Sequence, residues 1–252
     1  MVHFVGAGCG APDLITVRGA ALLGAADAII YAGSLVNPAL LQYAKPECEV
    51  HNSAELTLEE IVAVMLRVEA AGGNTVRLHT GDPCLYGAIR EQMDLLERAG
   101  VPYDVCPGVS SFCGAAAALR AEYTIPAYSQ SVVITRMAGR TPVPERESIR
   151  AWAAHGATMV IFLSAGRTEA LQQELLAGGY AADTPAAIVY KASWPEEKAV
   201  RCTVGTLRET AEQEGIHNHA LITVGGFLGA DYARSKLYDP AFSTAFRKGT
   251  ES

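Results

Sequence analysis

Two glycine-rich loops, each set between a strand-like run and a helix-like one, constrain this chain more than anything else in it. The first is Val5-Gly6-Ala7-Gly8-Cys9-Gly10-Ala11-Pro12-Asp13-Leu14, and the second is Leu78-His79-Thr80-Gly81-Asp82-Pro83-Cys84-Leu85-Tyr86-Gly87. Strand-type residues 3–5 and 75–78 lead into them, so each loop is expected at a strand's carboxyl end, where open α/β sheets bind ligands. Glycine there lets the backbone come close to a ligand.

The loops sit within a βα alternation. Helices are predicted over residues 14–25, 58–71 and 88–98, and strands over 28–31, 75–78 and 103–105. Thr57 with Glu60 three residues on marks a capped helix start. Such repetition implies a mainly parallel sheet. Pro107-Gly108-Val109-Ser110-Ser111 reads as a capped turn opening an alanine-rich helix through Leu119. The second half is predicted to hold strands at 132–135, 159–163, 186–190, 199–203 and 221–224, with helices near 147–154, 168–176 and 207–214. The strands at 186–190 and 199–203 are close enough to pair as an antiparallel hairpin, which makes the second sheet mixed. The expected organisation is therefore two α/β domains, residues 1–112 and 113–252.

Charge and cysteine usage narrow the function. A formal charge of -7 over 252 residues argues against a general binder of nucleic acid or anionic membrane. No charged leader with an apolar core precedes the first strand, and no apolar run is long enough to span a bilayer. The six cysteines contain no C-x-x-C pair, so they read as free thiols in a cytoplasmic protein rather than a disulfide framework or zinc site. No metal site is expected. His217 and His219 lack the context of metal ligands.

The glycines at 6, 8 and 10 miss the G-x-G-x-x-G spacing of dinucleotide folds, and the second strand ends Tyr31-Ala32-Gly33-Ser34 without the carboxylate that would hold a ribose. A nicotinamide oxidoreductase is weakened but stays open as an alternative. The second loop is more specific. Asp82-Pro83 after Thr80-Gly81 makes a rigid turn able to aim several backbone groups at one ligand, although Asp82 capping a helix would give the same letters.

Taken together, these segments resemble the tetrapyrrole methylase family: Val5-Gly6-Ala7-Gly8-x-Gly10, Asp13-Leu14-Ile15-Thr16, Gly81-Asp82-Pro83-x-x-Tyr86-Gly87 and Pro107-Gly108-Val109-Ser110-Ser111. Within that family the chain is most similar to the precorrin-4 C11-methyltransferases of cobalamin biosynthesis. Tyr31-Ala32-Gly33-Ser34-Leu35-Val36, Thr135-Arg136 with the run from Gly139-Arg140 to Glu145, and Tyr190-Lys191-Ala192-Ser193-Trp194-Pro195-Glu196-Glu197-Lys198 carry the narrower likeness. Cys9 and Ala11 stand where the family often has proline and aspartate.

The resemblance implies a two-domain α/β homodimer with a trough and a cofactor site between its domains, using S-adenosylmethionine as methyl donor. It implies cofactor contacts at Thr80, Gly81, Asp82, Leu85, Ser110, Ser111, Leu163 and Ala192. Gly8 and Gly10 would line the substrate trough. A tetrapyrrole fringed with carboxylates calls for arginines, and Arg136 and Arg140 are the first candidates, with Arg67, Arg77 and Arg90 behind them. No residue is marked as a chemical catalyst; His79, beside the cofactor loop, is the weak candidate. Uroporphyrinogen III or another precorrin is the alternative substrate.

Overall fold

In the first half of the chain the βα alternation closes into one wholly parallel sheet. The computed structural model describes residues 1–229, 233 and 235–250. The elements in order are β1 (Val2–Gly6), α1 (Val17–Ala25), β2 (Ala28–Tyr31), β3 (Glu49–Asn52), α2 (Leu58–Ala70), β4 (Thr75–His79), α3 (Arg90–Arg98), β5 (Tyr103–Cys106) and α4 (Ser111–Leu119). The sheet order is β3-β2-β4-β1-β5. Its central strands bury both faces, as parallel strands under helices must. Val5, Ile29, Val76 and Leu78 belong to one core cluster, and Val2, Phe4, Ile30, Ile61, Met65 and Leu96 to the other.

Local chemistry moves some boundaries. Helix α1 starts at Val17, later than the predicted residue 14, because the Thr16 side chain accepts the Gly19 amide and Pro12–Leu14 forms a separate 3-10 turn. The Thr57–Glu60 capping box at α2 forms as the sequence predicts, with both reciprocal hydrogen bonds present. Strand β3 was not expected: it is a short edge strand of mixed polarity, with Glu49 and Val50 exposed.

The second half continues with β6 (Val132–Arg136), α5 (Ile149–Ala153), β7 (Thr158–Phe162), α6 (Thr168–Ala177), β8 (Pro185–Tyr190), β9 (Lys198–Thr203), α7 (Leu207–Gln213) and β10 (Ala220–Val224). Helix α5 is shorter than the predicted 147–154, because Glu145–Glu147 forms a 3-10 turn and Ser148 caps the helix at Ala151. The sheet order is β6-β7-β10-β8-β9, with β6 parallel to β7 and the other pairs antiparallel, which is the expected mixed sheet and β8–β9 hairpin. Its core gathers Met159, Ile161, Leu171, Leu175, Ile188, Leu207 and Ile222.

The chain divides into two compact units. Unit 1 holds Met1–Ala115 and also Lys191–Glu197, the loop joining β8 to β9. Unit 2 holds Ala116–Tyr190 and the chain from Lys198 onward. The six cysteines are free thiols. Among the described residues no helix is long and apolar enough to cross a membrane.

Candidate functional site

Strands β4, β1 and β5 are neighbours in unit 1, and each ends in one of the glycine or proline loops read from the sequence. The loops lock together backbone to backbone. Gly8 and Gly81 exchange hydrogen bonds, N to O, at 3.2 and 2.9 Å. Gly6 and Gly108 lie in direct backbone contact: a Cβ on Gly108 would sit 2.2 Å from the Gly81 carbonyl oxygen and 2.7 Å from the Gly6 Cα. No side chain fits there, so the glycines are a steric requirement of the three-loop junction.

Asp82 ties the second and third loops. Its Oδ1 accepts the Cys84 amide and its Oδ2 accepts the Gly108 amide, both at 2.8 Å. The chain after it forms a turn rather than a helix, so Asp82 acts as a loop clasp and not as a helix cap. Burial alone would raise its pKa; hydrogen bonds from Cys84 and Gly108 outweigh that and hold the carboxylate below its ordinary value. Gly81, at φ 64°, places its missing Cβ 3.3 Å from the Ser110 Cα and 3.4 Å from the Ser111 amide nitrogen. Gly81, Asp82, Ser110 and Ser111 are thus brought together.

The Lys191–Glu197 loop closes over the first glycine loop. A Cβ on Gly10 would meet Trp194 at 2.2 Å and the Ala192 carbonyl oxygen at 2.6 Å. The Ser193 hydroxyl accepts the Ala11 amide at 2.9 Å and lies 3.3 Å from the Cys9 thiol. Asn37 donates to the Gly10 carbonyl at 2.9 Å. Lys191 and Ser193 hold positive φ, 46° and 65°, and the Glu197 carboxylate accepts the Ser193 amide at 2.6 Å. Non-glycine residues in this region store strain, which concentrates at binding sites.

Unit 2 carries a comparable feature at the ends of its parallel pair β6–β7. Leu163 follows β7 at φ 51° and is 66% exposed, an unusual state for a large apolar residue. Ser164 fixes it there by donating to the Phe162 carbonyl at 2.7 Å and accepting the Met137 amide at 3.0 Å.

Residues 1–208 match the family described as tetrapyrrole (corrin/porphyrin) methylases. The chain belongs to the tetrapyrrole methylase family. A relative in Methanocaldococcus jannaschii named cobalt-precorrin-4 C(11)-methyltransferase is 50% identical over 98% of this chain and 96% of its own. A Sinorhizobium relative named precorrin-4 C(11)-methyltransferase is 47% identical over 98% of each. Among solved structures, a cobalt precorrin-4 methyltransferase matches with TM-score 0.89 and 47% identity, covering 91% of this chain and 96% of that one. The uroporphyrin-III C-methyl transferase of Thermus thermophilus, solved with S-adenyl homocysteine, matches with TM-score 0.75 and 28% identity over 90% and 98%.

The arginines of this tetrapyrrole methylase occupy varied settings. Arg136 spends its guanidinium on the carbonyls of Met137, Thr141 and Pro142, at 3.1, 3.3 and 2.9 Å. Arg140 is exposed in the turn that these bonds shape. Arg67 is engaged by Glu49 and Arg90 by Asp94. Arg77 is not a surface anchor: it is 5% exposed and bonded inside the core, with burial pushing its pKa down to about 10.

His79 is 3% exposed, stacks on Phe4 at 6.3 Å between ring centroids, and leaves Nε2 without a hydrogen-bond partner. Burial first, then the Arg77 charge, pushes its pKa from 6.5 down to about 3. The unfolded chain therefore takes up this proton first, so stability is lost as pH falls from 6.5 toward 3. Replacing His79 by Leu is expected to flatten the pH dependence of urea unfolding across that window; an unchanged slope would show that the imidazole is protonated in the folded state.

Proposed function

We propose that the chain is an S-adenosylmethionine-dependent C-methyltransferase that methylates carbon 11 of precorrin-4, or of its cobalt complex, in cobalamin biosynthesis. The observation that carries this is the near-full-length identity to precorrin-4 C(11)-methyltransferases, at 41–50%, against 28–32% for uroporphyrin-III enzymes. The residues suit the donor. A loop junction built from glycine backbone, a fixed carboxylate and small side chains can hold a nucleoside-bearing sulfonium without a strong acid or base nearby.

S-adenosylmethionine supplies an electrophilic methyl group, and its transfer to carbon is an in-line displacement in which positive charge disperses. Such a reaction needs alignment and a dry site above all. We assign the holding of the donor to Thr80, Gly81, Asp82, Leu85, Ser110, Ser111 and Ala192 of unit 1. Gly8 and Gly10 are assigned to the substrate side. Thermal-shift titration separates this reading from a nicotinamide oxidoreductase: S-adenosylhomocysteine should raise the unfolding midpoint and NAD should not. The opposite pattern overturns it.

For the substrate carboxylates we assign Arg140 as the direct anchor and Arg136 as the residue that holds its turn. A charge-assisted hydrogen bond contributes roughly 1.5–3 kcal/mol, so Arg140→Ala is expected to raise KM for the macrocycle about tenfold or more. S-adenosylhomocysteine affinity should not change. Steady-state kinetics with an unchanged KM would remove Arg140 from the site.

The family resemblance also supports a closed two-fold homodimer. Light scattering at micromolar concentration should give twice the 26.6 kDa chain mass; monomer alone would contradict it.

A further inference from the structure

The loop from Thr80 to Ala88 is fastened at its start by the Gly8–Gly81 pair and Asp82, and its far end carries two residues at positive φ, Tyr86 at 57° and Ala88 at 49°. Helix α3 begins just beyond, and its N-cap position, Ile89, offers no side-chain cap. Gln92, in the first turn of α3 and 4% exposed, donates from Nε2 to the Ala88 carbonyl at 2.9 Å. Its Oε1 in turn accepts Arg77 Nε at 3.1 Å, and Arg77 Nη1 donates to the Ile30 carbonyl of β2 at 3.0 Å.

Among the described residues Arg77 makes no ion pair. A guanidinium in an apolar core without a carboxylate is costly, and a leucine or methionine at this central strand position would pack at lower cost. We infer that Arg77 and Gln92 form a buried positioning relay that ties the parallel sheet to Ala88 and so holds the far end of the Gly-Asp-Pro loop in its strained, binding-ready path. The amide of Gln92 suits this because it accepts from the arginine and donates to the carbonyl at once. An ionised carboxylate can only accept.

The part of this inference that concerns cofactor affinity rests on the proposed methyl-donor site; the part that concerns loop order does not. The test is hydrogen exchange of the ligand-free protein together with calorimetric titration of S-adenosylhomocysteine, on wild type, Gln92→Glu and the double variant Arg77→Met/Gln92→Met. Glutamate keeps the arginine's acceptor but loses the donor to Ala88. The double methionine removes the buried cation and both polar partners at similar volume, which guards against a variant that fails only because a charge is left unpaired.

In both variants amide exchange is expected to speed up at least tenfold over residues 84–89 with β1 and α2 unchanged, and S-adenosylhomocysteine to bind about tenfold more weakly. Wild-type exchange over 84–89 in the double variant would overturn the relay. So would an even rise across unit 1, which is the signature of a merely structural role. If wild type itself fails to bind S-adenosylhomocysteine, the donor assignment fails, and the relay is judged on exchange alone.

Discussion

Gly108→Ala is expected to abolish S-adenosylhomocysteine binding in a protein that still folds. The new methyl group would lie 2.2 Å from the Gly81 carbonyl oxygen and 2.7 Å from the Gly6 Cα, and both neighbours are backbone, which has no rotamer to yield. Overpacking of this kind costs about 1–3 kcal/mol. Moving the third loop away from the first two relieves it most cheaply, and that breaks the Asp82–Gly108 hydrogen bond. Gly72→Ala is the matched control, since nothing lies within 4 Å of its missing Cβ even though its φ of 76° makes alanine strained. It should lose about 1 kcal/mol of stability and no affinity. Calorimetry that finds wild-type affinity in Gly108→Ala would show that the junction is not where the donor binds.

Asp82→Ala is the second large effect. It removes the shared acceptor of the Cys84 and Gly108 amides, so the second loop loses its own turn and its tie to the third loop together. Hydrogen bonds to a charged group contribute roughly 1.5–3 kcal/mol each, less here because the carboxylate is partly exposed, and a loss of at least tenfold in affinity for S-adenosylhomocysteine is expected. The sign of the pH dependence follows from the lowered pKa. The carboxylate's contribution is complete above its ordinary 3.8 and is lost as pH falls through its lower folded value. Asp82→Asn keeps one acceptor oxygen, so its affinity should lie between wild type and alanine and show no such acid loss. Equal affinity in all three proteins would reduce Asp82 to a surface turn residue.

Much of this was legible in the sequence because the signals are local. Apolar runs such as residues 28–31 and 186–190 end in turn residues, and the Thr57–Glu60 pair announces its helix. The glycine loops announce where strands stop. What escaped depends on contacts far apart in the chain. The Lys191–Glu197 loop joins unit 1 because Trp194 and Ser193 pack on Gly10 and Ala11, a separation no local pattern reveals. Arg77 reads as a solvent-seeking residue in a strand, yet Gln92 and the Ile30 carbonyl satisfy it inside the core. Arg136 reads as a free anchor, yet three carbonyls of its own turn occupy it. The edge strand β3 carries alternating Glu49, Val50, His51 and Asn52, too short and too polar to stand out.

The central claim is methyl transfer to one carbon of one macrocycle. Incubation with methyl-labelled S-adenosylmethionine and, separately, precorrin-4 and cobalt-precorrin-4, followed by mass spectrometry and carbon NMR of the product, tests it directly. The expected result is one labelled methyl group at carbon 11 of at least one of the two substrates. Label at another position, or no transfer by a protein that binds the donor, would contradict it.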